Sequence, residues 1–320
     1  MTEQFTYPIL KHPRKVFSRI GLALFLYFIA VYASSFIFSF ISLKFMPQFY
    51  NSNYFVWANM VLCQYIIGIP VIRLTLIKLP TYKYTKEKMS FGNLFSAFII
   101  CQAMSYAGNI IGIALNGIIS AALGKEIENS LDTIIKDSNI LILFLIVGIL
   151  GPIMEELVFR KFIIDRIRPY GEVLAVLFSG ITFGMFHGNF YQFFYAAAIG
   201  IVLAFIYIRT KNILYPILLH CAFNMVSVVG QAFTNLSENK NLAQTINYIF
   251  KGAYYLLSIA MLVFTILGII KFIKSIKKIY FIKNIYDIPK NRAFLFSCIN
   301  VGMILFTIIV MAEFVMSILL

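Results

Sequence analysis

Charge is what this chain has least of. Only 12% of its 320 residues are Asp, Glu, Lys or Arg, against 61% that are hydrophobic, and the mean hydropathy is strongly positive. No soluble domain of this length has an interior that could hide so much apolar surface, so a soluble globular fold is excluded. Cysteine is scarce as well. Cys63, Cys101, Cys221 and Cys298 sit singly inside apolar runs without CxxC-type pairing, which argues against a disulfide framework and a zinc knuckle and leaves four small core hydrophobes. There is no internal repeat and no low-complexity tract. The longest hydrophilic stretches, near 124–138, 233–247 and 277–292, are too short to be domains. The apolar segments also lack the strict alternation of barrel strands. Because lipid offers backbone groups no hydrogen-bond partners, each span is then expected to be an α-helix.

What is present is a succession of apolar runs separated by short basic clusters. The net charge of +14 is distributed over clusters at 11–19, 73–88, 160–168, 209–211 and 271–292, not over one continuous face. That pattern speaks against a nucleic-acid partner and for membrane topology. The intervening loops are neutral or mixed, as in "KEIENSLDTIIKD", and they alternate with the basic ones. With positive loops inside, about nine spans fit: 17–43, 55–79, 91–123, 139–168, 171–187, 190–208, 213–232, 248–276 and 293–320. The expected fold is an all-α polytopic transmembrane bundle in the cell membrane, with a cytoplasmic amino terminus and an external carboxyl terminus. The first run is too long for a signal-peptide core and is read as a retained span. Gly68 with Pro70, and Gly151 with Pro152, predict kinks inside spans. The basic run at 271–292, with Tyr280 and Phe281 interleaved, is expected to lie against anionic lipid. Docking of a membrane protein partner is the alternative there.

Against this apolar background a few polar groups stand out. An ionisable side chain near the middle of a span costs on the order of 2.5–3.5 kcal/mol, so such groups face a bundle interior or a wet cavity. Away from span ends they are Glu155, Glu156, Arg160, His187, His220, Asn224, Lys251 and Glu313, and six of the eight fall between 155 and 224. Glu156 and Arg160 are four apart on one helical face and can form an internal ion pair. Glu155, turned by about 100° from Glu156, needs another partner, and His187 and His220 are the candidates. Phe183 and His187 share a stripe, as do His220 and Asn224, so three helices can present side chains to one interior cluster. A carboxylate with a histidine can activate water, while a second histidine with an asparagine amide can donate to a developing oxyanion. Two other chemistries remain open on the residues alone. Cys221 or Ser179 as nucleophile is weaker, since Cys221 and His220 are adjacent on a helix and Ser179 is about two turns from His187. A metal held by Glu155, His187 and His220 is the third option, although no HExxH is present.

Three motifs run through these residues: EExxxR as "EELVFR" (155–160), FxxxH as "FGMFH" (183–187) and HxxxN as "HCAFN" (220–224). In this order, within apolar segments, they resemble the CAAX prenyl protease and bacteriocin-processing family, also called the Abi family. The resemblance covers about residues 139–232, expected to be a catalytic core between amino-terminal helices (1–138) and carboxyl-terminal helices (233–320). It implies a glutamate-type intramembrane endopeptidase with no metal or other cofactor and an active site inside the bundle. By motif position, Glu155 resembles the water-activating base and His187 its partner. His220 and Asn224 resemble the oxyanion-stabilising pair, and Glu156 and Arg160 a supporting ion pair, while Phe183 itself reads as a packing residue beside the cavity and not a chemical participant. The implied substrate is a peptide precursor or a membrane-associated protein. Because richness in Ile, Lys, Asn, Phe and Tyr resembles low-GC bacteria, a signalling peptide or bacteriocin precursor is favoured over a prenylated protein. The rival within the same family is a non-catalytic scaffold or bacteriocin self-immunity protein. A transporter is disfavoured by the missing inverted repeat.

Overall fold

The computed structural model describes residues 12–82, 84–129, 134–136, 138–240, 242–283 and 286–319. The start of the first basic cluster, at 11, and part of the polar loop, at 130–133, lie outside the described residues. Among those described, every regular element is helical. The main helices are α1 (Pro13–Phe45), α2 (Asn53–Leu76), α3 (Phe91–Leu123), α4 (Ile140–Tyr170), α5 (Glu172–Met185), α6 (Phe190–Thr210), α7 (Leu214–Ser237), α8 (Gln244–Ile276) and α9 (Val301–Leu319). All but α5 are long and apolar enough to cross a membrane, and the chain is a multi-pass membrane protein.

Among the described residues the count of crossing-length helices is therefore eight where the charge pattern led to nine. The difference lies at α5. Its 14 residues rise about 21 Å, short of a hydrocarbon core of about 30 Å. Gly171 (φ 132) and Gly188 (φ 65) adopt conformations that L side chains disfavour, and they close the helix on either side.

At both positions where a kink is expected, the helix changes type in the same way. Met60–Gly68 and Leu143–Leu150 are π-helical, and each gives way to α-helix just before a proline, Pro70 or Pro152. A proline ring clashes with the carbonyl of the preceding turn. Widening that turn to i→i+5 pairing relieves the clash without breaking the helix.

Two compact units are distinguishable, and neither is continuous in sequence. The first comprises Met1–Lys86, Met154–Ser179 and Phe281–Met316. In it α1 and α9 meet backbone to backbone: a Cβ on Gly302 would lie 1.7 Å from the Ser18 carbonyl oxygen, and the Gly302 N–H donates to Ser18 Oγ at 3.1 Å. Phe17, fully buried, packs edge-on against Phe178 with ring centroids 5.0 Å apart. At one end of α4, Arg166 donates to the carbonyls of Leu76 and Phe162. Arg168 pairs with Glu172, whose other oxygen accepts the Ile282 N–H at 2.9 Å.

The second unit comprises Glu87–Ile153, Gly180–Tyr280 and Ser317–Leu320. Helices surrounded by lipid gain little from a hydrophobic drive toward each other, so close van der Waals contact has to hold them. Gly108, Gly112 and Asn116 supply that contact as a buried stripe on α3. The Tyr195 backbone of α6 comes within 2.5 Å of where a Gly108 side chain would begin.

Gly302→Ala is expected to destabilise the protein by about 1–3 kcal/mol, the range for forcing atoms into a packed contact. Gly117→Ala, where a Cβ meets nothing within 4 Å, serves as the control. Thermal unfolding in detergent checks it; equal melting temperatures for the two variants would contradict the contact.

Candidate active site

The first motif is built around a charge pair sealed from solvent. Arg160 Nε donates to Glu156 Oε2 at 2.8 Å and its Nη2 to Oε1 at 3.1 Å, and both side chains have zero exposure. A fork-on-fork pair of this kind offsets part of a desolvation penalty that neither ion could bear alone. The third leg of the guanidinium, Nη1, donates to Ser179 Oγ at 2.8 Å, and Ser179 donates on to the Phe159 carbonyl at 3.0 Å. Ser179 is thus occupied as a bridge from α5 to α4. Its signal in the sequence is the spacing 179, 183, 187: it begins the same i, i+4 stripe that carries Phe183 and His187.

Glu155, one position earlier, is only partly buried. Tyr27 of α1 and Tyr65 of α2 lie within electrostatic reach of its carboxylate. Gly68 leaves room beside them, since a Cβ there would lie 2.5 Å from the Tyr27 ring. Neither tyrosine stands out in the sequence, because aromatic residues are common in every span.

The second and third motifs meet at one ring. Phe183, buried on α5, has the His187 imidazole edge-on at 5.0 Å between centroids and the His220 imidazole of α7 edge-on at 5.7 Å. His187 follows the last turn of α5, where the chain reverses through Gly188 and Asn189 caps α6 by accepting the Gln192 N–H. Its Nδ1 lies 2.9 Å from the Phe183 carbonyl oxygen. A carbonyl can only accept, so Nδ1 carries a proton, and in the neutral form of the ring Nε2 is the acceptor nitrogen. His220 is 6% exposed. Asn224, one turn on, is partly buried, and its Nδ2 donates to the Val147 carbonyl of α4 at 3.0 Å. The amide expected to serve an oxyanion thus has one of its hydrogens engaged with backbone.

Of the seven motif residues, Glu156 and Arg160 are joined within the first unit. Phe183, His187 and His220 are gathered within the second, where Asn224 ties α7 to α4. Cys221 reaches the Ile149 carbonyl at 3.9 Å. Lys251 is exposed and Glu313 half-buried. Among the described residues no three His, Cys, Asp or Glu side chains are grouped to hold a metal ion.

The region that carries these residues is similar to membrane-embedded CAAX-type proteases. Residues 137–226, which contain all seven motif positions, match the family model described as type II CAAX prenyl endopeptidase Rce1-like. Two curated proteins are similar. One, named "Putative membrane peptidase YdiL", from Bacillus subtilis, is 30% identical over 39% of this chain and 54% of its own length. The other, named "Membrane-embedded CAAX protease MroQ", from Staphylococcus aureus, is 27% identical over 40% of this chain and 54% of its own. The chain thus spans about half the length of the curated relatives it matches. No solved structure matches it.

Replacing Arg160 by Leu strands the Glu156 carboxylate without its guanidinium and is expected to cost about 3–5 kcal/mol. The double replacement Glu156→Leu with Arg160→Leu recovers most of that loss. Unfolding of purified protein in detergent measures both; a double variant no more stable than Arg160→Leu would show that the ion pair is not what the site rests on.

Proposed function

We propose that this chain is an intramembrane endopeptidase that hydrolyses a peptide bond with a water activated by Glu155. His187 assists the activation through Nε2, and His220 with Asn224 stabilises the developing oxyanion. The observation that carries the reading is the convergence of two imidazoles on Phe183, with one anchored through Nδ1 so that its acceptor nitrogen is defined. The match of residues 137–226 to an endopeptidase family supports it. Glu156 already has Arg160 as its ion-pair partner, which leaves Glu155 as the carboxylate for chemistry. In this reading no side-chain nucleophile takes part, since Ser179 is held by Arg160 and Phe159. The substrate class is a peptide precursor or membrane-associated protein, in keeping with the printed names of the two relatives. The charge alternation assigns a cytoplasmic amino terminus and requires α5 with its turns to return the chain across the bilayer. A reporter fused in the loop after Ser237 reads external under that topology and cytoplasmic if α5 does not cross.

Glu155→Gln keeps the shape of the side chain and removes the base, so cleavage is expected to fall by about 10²–10⁴-fold. Mass spectrometry of small secreted peptides from cells carrying wild type or Glu155→Gln reads the outcome. An unchanged peptide profile with full biological effect would replace proteolysis by the scaffold account. Chelator treatment of purified protein is expected to leave cleavage unchanged, and loss restored by zinc would overturn the metal-free mechanism.

A further inference from the structure

The segment ahead of Glu155 has a donor missing from its backbone. Leu143–Leu150 is π-helical, and the register is explicit at its end, where the Gly151 N–H donates to the Ile146 carbonyl five residues back. Carried one residue further, that register asks the nitrogen of residue 152 to donate to the Val147 carbonyl. Residue 152 is proline and has no hydrogen to give. Asn224 Nδ2 donates to this same oxygen, at 3.0 Å. The neighbouring positions of α7 close on the same turn. Cys221 Sγ lies 3.9 Å from the Ile149 carbonyl, and the Met225 methyl fills the space left by Gly148, 2.7 Å from where a Cβ would stand.

We propose that Asn224 is a positioning residue: its amide stands in for the backbone donor that Pro152 lacks and so holds the π-to-α switch in the helix that carries Glu155. The switch matters because a π turn contains one extra residue. Every side chain after it is turned by about 100° about the helix axis relative to an uninterrupted α-helix. Glu155 follows the switch within a single turn, in the α-helical stretch Gly151–Glu156, so its direction depends on the register being kept. Without the amide, the Val147 carbonyl is left with no donor in an apolar setting, and slipping into α register becomes the cheaper arrangement. The functional weight of this device rests on the reading of Glu155 as the base, but the device itself does not.

The test reads the direction of residue 155 directly. Glu155→Cys is introduced in the full chain with Cys63, Cys101 and Cys221 replaced by alanine and Cys298 kept as internal reference. Alkylation by N-ethylmaleimide in detergent is followed by peptide mass mapping. Adding Asn224→Ala is expected to change the rate at position 155 several-fold with the Cys298 rate unchanged. Adding Pro152→Ala as well, which restores an N–H to residue 152, is expected to bring the rate back toward its starting value. Asn224→Asp removes the NH2 while keeping the side chain's shape, and it decides the same question if truncation unfolds the protein. A rate at 155 indifferent to residue 224, or one that Pro152→Ala does not restore, overturns the proposal and leaves Asn224 as a direct participant only. Because the readout is alkylation, failure of the proteolytic reading, seen with Glu155→Gln, is distinguishable from failure here.

Discussion

A carboxylate and a guanidinium with no access to solvent persist among apolar helices only as a pair, and much of the chemistry proposed for this protein follows from that constraint. Glu156 and Arg160 satisfy it four residues apart on one helix, and Ser179 takes the remaining face of the guanidinium. A local partner is the economical solution, because a helix can fold with the pair already in place. It also sets the two adjacent glutamates apart. Two neighbouring glutamates in a span would otherwise be competing charges; with one neutralised within its own helix, the other meets less like-charge repulsion.

Backbone hydrogen bonding imposes the second constraint. In a water-poor setting a helix cannot lose a donor without a replacement, yet proline occurs inside two spans. Here both prolines follow a π-helical stretch, so the register change is not a peculiarity of one site. At the second of them a side chain from another helix completes the backbone pairing. A motif asparagine thereby acquires a task that is set by a proline more than seventy positions away.

The histidines illustrate how a small anchor defines chemistry. An imidazole is ambiguous until one nitrogen is committed, and the Phe183 carbonyl commits Nδ1 of His187. Phe183 packs at the site and also carries this commitment with its backbone, while its ring gathers both imidazoles. The first helical stretch of the FxxxH motif is therefore geometric in purpose: the phenyl group and the histidine must lie one turn apart for a single residue to offer both contacts.

What was legible in the sequence was whatever follows from local periodicity and from the cost of charge in lipid. The helical class, eight of the nine runs as crossing-length helices, the Glu156–Arg160 pair and the seven motif positions all rest on spacings within one helix, where 3.6 residues per turn relates neighbours without further information. Folding alone decided the rest. The shortness of α5 comes from two glycines with positive φ, which hydropathy does not register. Ser179 as the bridge to Arg160, the tyrosines near Glu155, and Asn224 on the Val147 carbonyl all join different helices. Such pairings depend on which faces meet and at what depth, and in this membrane setting small residues and close packing set both, leaving only weak marks along the chain.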